Sequence, residues 1–300
     1  MHRHPLFKPY LALVSICFFW GTTYLAIRMS LEAIPPMVLV SGRFILSGSL
    51  MLAGAVAARA RLPRGRELGL TALNGVLILG IGNSCLTVAE LWIPSGVAAL
   101  IVTTSPFWMV GIDALLPGGQ RLRAATLAGI VIGCAGAVLL IAPQATGVAS
   151  NSRLWWAFAL LQFANFSWSF GSIRQIRLQT QSHPIVNGAV QQLAAGLAFL
   201  PFGLLQLGGL SWQPRAWLAA LYLVVFGSIV GYSAYVYALE HLPVALVSIY
   251  TYVNPIVAVW LGWLFYREPF GMMELLGMLV IFAGVAVVKR FSRPSAPELD

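Results

Sequence analysis

The chain has 300 residues, of which 59% are hydrophobic and 9% charged, and its mean hydropathy is +0.84. A soluble core of this length cannot bury so much apolar surface, so the composition excludes an ordinary soluble domain and predicts that lipid surrounds most of the chain. The net charge of +9 comes from short Arg clusters between apolar runs, without the basic and aromatic stripe that indicates nucleic-acid binding.

Ten apolar segments are each about as long as the roughly 20 residues that a membrane-spanning helix needs. They predict an all-α integral membrane protein with spans at 10–28, 37–58, 68–89, 93–116, 124–142, 154–173, 185–208, 215–238, 243–266 and 271–289. The links between them are short, and no segment is long enough for a separate soluble domain.

The positive charges of the loops predict the orientation of the chain. If the N-terminus is cytoplasmic, 13 Lys and Arg residues lie in inside segments and 4 in outside segments. We therefore expect a multi-pass protein of the inner, or plasma, membrane. Residues 1–9 and 290–300 form its cytoplasmic ends, and residues 143–153 form an external linker.

An internal repeat divides the chain into two halves, residues 10–142 and 154–289. Shifting the sequence by 148 or 149 residues brings identical residues into register at matching places in the span map, for example Trp20 with Trp168, Pro106 with Pro255, and Gly48 with Gly196. Each half has five spans, an odd number, so the second half must enter the membrane from the opposite side. Inverted repeats of this kind are typical of secondary transporters.

Motifs in both halves resemble the EamA-type repeat of the drug/metabolite transporter superfamily. The first half contains Phe19-Trp20-Gly21, Arg43-Phe44 and Pro94-Ser95-Gly96, and the second contains Leu242-Pro243-Val244, Asn254-Pro255 and Arg267-Glu268-Pro269. The resemblance implies export of small organic metabolites by alternating access, and it is nearest to the aromatic amino acid exporters of the superfamily. The second half departs from the first at Ser169, in place of Gly21, and at Gln191, in place of Arg43.

Polar and aromatic residues inside the spans are candidates for a substrate site, because polar groups are costly in lipid and tend to face inward. Each also has a plainer interpretation: hydrogen bonding between helices, an aromatic belt at the interface, or, for Arg43, snorkelling to the outer surface. Pro106 and Pro255 are candidate hinges or static kinks. The candidate binding residues are Trp20, Tyr24, Arg43, Asn83, Trp168, Tyr235, Tyr250 and Asn254.

Other classes of function lack their motifs. The sequence has no zinc-protease, nucleophile-elbow or phosphate-loop motif, and the three cysteines lie singly in apolar runs, so we predict no catalytic residue, no metal and no cofactor. No filter loop indicates a channel. The expected partners are a small-molecule substrate and lipid, with the monomer as the working unit. The cargo stays open between amino acids, other metabolites and hydrophobic drugs.

Proton coupling is the last open question of the sequence. No His lies in a predicted span, and Asp113 is the single carboxylate inside one, about three residues from its cytoplasmic end. We therefore predict facilitated, downhill transport, with proton coupling as the alternative if Glu90 or Glu274 lies deeper than the span ends suggest.

Overall fold

The computed structural model describes residues 7–117, 123–145, 152–178, 180–242, 247 and 249–291, and every regular element within those ranges is helical. The α-helices are α1 (Phe7–Ser30), α2 (Pro36–Ala57), α3 (Gly65–Gly75), α4 (Gly82–Ala89), α5 (Ser95–Val102), α6 (Ser105–Leu115), α7 (Ala124–Ala145), α8 (Ser152–Arg177), α9 (Pro184–Leu205), α10 (Pro214–Tyr222), α11 (Gly231–His241), α12 (Tyr250–Tyr266) and α13 (Met272–Phe291). Two π-helical segments, Val76–Ile81 and Leu223–Val230, join α3 to α4 and α10 to α11.

Helix occupies the described part of each predicted span, but the count of ten stays a prediction. Within the described residues, seven helical stretches are long and apolar enough to cross a membrane, and Ala124–Leu139 is a shorter apolar helix. The first residues of the predicted ninth span, most of the external linker 143–153, most of the C-terminal end 290–300 and residues 1–6 of the N-terminal segment lie outside the described residues.

Prolines mark the beginnings of several helices. Pro36, Pro184 and Pro214 lie in the first turns of α2, α9 and α10, and Pro94 lies directly before α5. Proline suits these positions because its φ is already near the helical value and the N–H that it lacks would have no helical partner. The short links between spans therefore follow from the local sequence.

Helices α2 and α9 pack closely along their length and run antiparallel. A Cβ added at Gly48 would lie 2.5 Å from the backbone nitrogen of Leu193, and one at Gly196 would lie 2.6 Å from the backbone nitrogen of Ile45. These two contacts are the same contact made twice, because a shift of 148 residues converts each into the other. Corresponding helices of the two halves thus meet in opposite directions, which is the arrangement that an inverted repeat predicts.

Helices α7 and α13 form the second pair of this kind. Gly129 lies against the backbone of Gly284, and Gly136 lies against that of Gly277, again as two matching antiparallel contacts. The remaining contacts also exchange between halves: α1 packs against α11 and α12, whereas α8 packs against α4 and α6. The space between α1, α8 and the helices that pack against them holds the candidate site.

Candidate substrate cavity

A cavity of about 160 Å³, room for on the order of ten water molecules, lies between the two halves. Both halves contribute to its wall. Of the candidate residues, those that line it are Trp20, Tyr24, Arg43, Asn83, Trp168, Tyr250 and Asn254. Further lining residues are Ala99, Thr103, Asn165, Gly227 and Ser228.

Arg43 carries the one charge among the described residues of this wall. Its Nε donates to the Ser228 hydroxyl at 2.8 Å, and its guanidinium carbon lies 5.0 Å from the centre of the Phe44 ring. Within the described part of the chain, no carboxylate lies within ion-pair distance of it. The guanidinium is therefore held in place by a neutral group, and its charge is available to a carboxylate in the cavity.

Trp20 anchors an aromatic cluster beside this cation. Its indole Nε1 donates to the Gly227 carbonyl at 3.1 Å, and its ring centre lies 5.1 Å from that of Tyr250 and 5.2 Å from that of Tyr235. Tyr235 packs against both of these rings and does not itself belong to the cavity wall. The cluster gives the wall an apolar, aromatic surface suited to an aromatic or branched side chain.

Asn254 joins α12 to α1 beneath this cluster. With its amide oriented as its neighbours require, the side-chain nitrogen donates to the Cys17 carbonyl at 3.0 Å and to the Tyr250 carbonyl at 3.1 Å. The repeat-matched position in the first half is Ser105, whose carbonyl accepts a hydrogen bond from the Ser169 hydroxyl at 3.1 Å. Each half therefore ties its proline-containing span to the first helix of the other half.

The cavity wall also contains Trp168, the repeat-matched partner of Trp20, together with Asn83 and Asn165. Trp168 lies against Gly82, as Trp20 lies against Gly231. Asn83 donates to the Leu79 carbonyl at 3.0 Å, and Asn165 donates to the Thr104 hydroxyl at 3.0 Å. Two amide side chains and one indole thus belong to the same cavity wall as Arg43.

The two candidate hinges have different surroundings. The chain leaves the helix at Thr103 and Thr104 and re-enters it with Pro106 in the first turn of α6, so the fourth span is broken rather than bent. Pro255 lies in the second turn of α12 and stays within that helix. Whether either position acts as a hinge stays a prediction.

The π-helical segments were not foreseen from the sequence. Residues Val76–Ile81 and Leu223–Val230 occupy matching places in the two halves, and the second presents the Gly227 carbonyl and Ser228 to Trp20 and Arg43. Such segments are rare and occur frequently at functional sites. The signal available in the sequence is the spacing of Gly227 and Gly231, which by itself indicates close contact between helices.

The family comparison decides the class of protein. The model of the EamA-like transporter family matches residues 7–142 and again residues 155–290. The chain belongs to the EamA-like transporter family. Two copies of the EamA-like unit therefore make up nearly all of this membrane protein, and its family and relatives are transporters rather than enzymes.

Relatives of this EamA-like chain cover almost its full length. It is 36% identical over 287 residues to an uncharacterized inner membrane transporter, YedA, of Escherichia coli K12, covering 95% of this chain and 90% of that one. It is 25% identical to a probable terminal-alkyne amino-acid exporter of Streptantibioticus cattleyicolor, covering 95% and 94%. A crystal structure with 22% identity has a TM-score of 0.65 and covers 95% of this chain and 99% of that chain, which supports the fold.

Proposed function

We propose that this transporter exports amino acids, including large neutral or aromatic ones, across the inner membrane by alternating access. The observation that carries the proposal is the Arg43 guanidinium, which faces the cavity without a carboxylate partner in the described residues. A carboxylate of the cargo is the natural partner for such a cation. The wall supplies no described acidic side chain for the cargo's ammonium group, but it does supply aromatic faces and hydroxyls.

The aromatic cluster of Trp20 and Tyr250 supports the second part of the proposal. A carboxylate held by Arg43 leaves the cargo's side chain near these rings, where an apolar body replaces water favourably. A relative at 25% identity is named a probable terminal-alkyne amino-acid exporter, which also favours an amino-acid cargo. The inverted halves supply two equivalent conformations, one open to each side.

Counterflow in liposomes tests this function. The purified protein is reconstituted, the vesicles are loaded with unlabelled phenylalanine, and the uptake of labelled phenylalanine, leucine and tryptophan is followed. We expect saturable uptake, absent from protein-free vesicles, and no competition by phenylalaninamide, which lacks the carboxylate. Equal competition by the amide would refute carboxylate recognition, and uptake of hydrophobic drugs alone would favour that alternative cargo.

We also propose that transport is downhill and that the monomer is the working unit. No described residue of the cavity wall is Asp, Glu or His, so the wall offers no group that loads and unloads protons near neutral pH. Asp113 pairs with Arg177 at 3.0 Å, away from the cavity. Accumulation of a neutral amino acid driven by a pH gradient alone, at fixed membrane potential, would contradict this mode.

The proposed orientation places both termini in the cytoplasm. A reporter that is active only inside the cell, fused after Asp300, is expected to be active. The reason is the excess of Lys and Arg in the alternate loops, which are retained on the cytoplasmic side. A matched reporter that is active only outside serves as the control. Activity of that second fusion would overturn the orientation.

A further inference from the structure

At the end of the bundle that is predicted to be external, one carboxylate from the second half joins the two halves. Glu268, which follows α12, accepts hydrogen bonds from the Ser95 backbone N–H at 3.0 Å, from the Ser95 hydroxyl at 2.9 Å and from the Gly96 backbone N–H at 3.1 Å. It also pairs with the Arg28 guanidinium of α1 at 3.3 Å. We call Arg28, Ser95, Glu90 and Glu268 the outer closure.

Glu90 is the member of the outer closure that takes no part in the ion pair and hydrogen bonds just described. It follows α4 directly, its side chain is 4% exposed, and neither carboxylate oxygen has a hydrogen-bond partner in the described part of the chain. An ionised carboxylate that is buried without a hydrogen-bond partner is unfavourable in free energy, and taking up a proton removes most of that cost. Burial, and then the nearby Glu268 carboxylate, raise the pKa of Glu90, against a smaller opposite effect of Arg28.

The charged and titratable groups around Glu90 come from two other parts of the chain. α1 supplies Arg28 and Tyr24, and the connection between α12 and α13 supplies Glu268. Arg28 is already occupied, since it pairs with Glu268 and donates to the Ile93 carbonyl at 3.2 Å. An ionised Glu90 would therefore place a second negative charge beside Glu268 and compete with it for Arg28.

We propose that Glu90 is a proton-binding site and that its proton keeps the outer closure shut. When Glu90 is neutral, Glu268 keeps Arg28 and the N-terminus of α5. When Glu90 loses its proton, Glu268 is repelled and the two halves separate at this end, where water can solvate both carboxylates. The proposal rests on alternating access, but it concerns the equilibrium between the closed and open states of this end and is compatible with downhill transport.

The direction of the pH effect follows from linkage. In the open state Glu90 is solvated and has an ordinary carboxyl pKa of about 4.3. In the closed state its pKa is raised, so the proton favours closure. Closure is therefore favoured at low external pH, and the advantage is lost as the pH rises through the closed-state pKa.

Thiol accessibility tests the proposal without any cargo. Ala99 lines the cavity one turn below Ser95 and is 1% exposed, so Ala99→Cys reports whether a membrane-impermeant maleimide can enter from the outer side. Cys17, Cys85 and Cys134 are replaced by Ser, and the protein is labelled in intact cells between pH 5 and pH 8. Dividing each rate by that of the Glu90→Gln variant at the same pH cancels the intrinsic pH dependence of the thiol reaction.

We expect the ratio to rise at least 5-fold over this range, because Glu90→Gln stays closed at every pH. Glu90→Leu should also stay closed, and Glu90→Asp should restore the rise. Glu274→Gln is the matched control, because Glu274 is about equally buried but accepts from the Gly271 N–H at 2.8 Å, and it should behave as the parent does. A flat ratio, or an equal effect of Glu274→Gln, overturns the proposal. Failure of phenylalanine counterflow with the rise intact refutes the cargo alone.

Discussion

Arg43→Gln is expected to weaken the binding of a carboxylate-bearing cargo by about 10- to 100-fold, the cost of losing a hydrogen bond to a charged group. Gln is the residue at the matching position of the second half, Gln191, so the substitution makes the two halves alike at this point. Arg43→Lys keeps the charge but loses the planar pair of donors, and its affinity should fall between the two. Titration of the purified proteins with phenylalanine, followed by calorimetry, measures the effect.

Arg174→Gln is the matched control for this result. Arg174 lies in the last turn of α8, but its Nε donates to the Asn74 side chain at 3.1 Å and it does not line the cavity. Its loss should leave the affinity within 2-fold of the parent's, a bound we set from its position outside the cavity. If Arg43→Gln binds phenylalanine as tightly as the parent, Arg43 does not hold the carboxylate.

Gly48→Ala is expected to lower the free energy of unfolding by about 1–3 kcal/mol, the usual cost of overpacking a close contact. The new methyl group would meet the Leu193 backbone nitrogen at 2.5 Å, and a backbone atom cannot move aside as a flexible side chain can. Helices α2 and α9 must therefore separate along their shared face. Thermal unfolding of the purified protein in one detergent measures the change.

Gly42→Ala provides the comparison within the same helix. A Cβ at Gly42 has no atom within 4 Å, and Ala favours helix over Gly by about 1 kcal/mol, so this variant should be as stable as the parent or slightly more so. A drop in stability equal to that of Gly48→Ala would show that the loss comes from glycine itself and not from the contact between the helices.

The repeat was legible in the sequence because it depends on glycines and prolines at fixed intervals. Gly48 and Gly196, or Pro106 and Pro255, keep their identity where backbone geometry demands it, and a shift of the sequence brings them together. Arg43 and Trp20 could be proposed for the cavity on similar grounds, since a charge or an indole within a span is costly in lipid. Both line the cavity.

Other features depend on contacts that one sequence does not display. Glu90 lies one residue past α4 and looks like an ordinary loop carboxylate, but α1 and the α12–α13 connection cover it. Tyr235 and Tyr250 are both tyrosines within predicted spans, so the sequence does not distinguish them. In the structure Tyr235 packs against the Tyr250 ring and lies outside the cavity wall. The π-helical segments depend on the register of backbone hydrogen bonds, which hydropathy does not record.

The paired glycine contacts between α2 and α9 lie within one chain but have the geometry of an interface between two identical subunits. Gly48 meets Leu193 and Gly196 meets Ile45, so each half offers the other the same surface that it receives. In an assembly of two chains this would be an isologous interface about a twofold axis. The geometry is thus that of a homodimer whose subunits have opposite orientations in the membrane and are joined by a linker. Every substitution on this face therefore alters one side of a self-complementary surface and leaves the matching side unchanged.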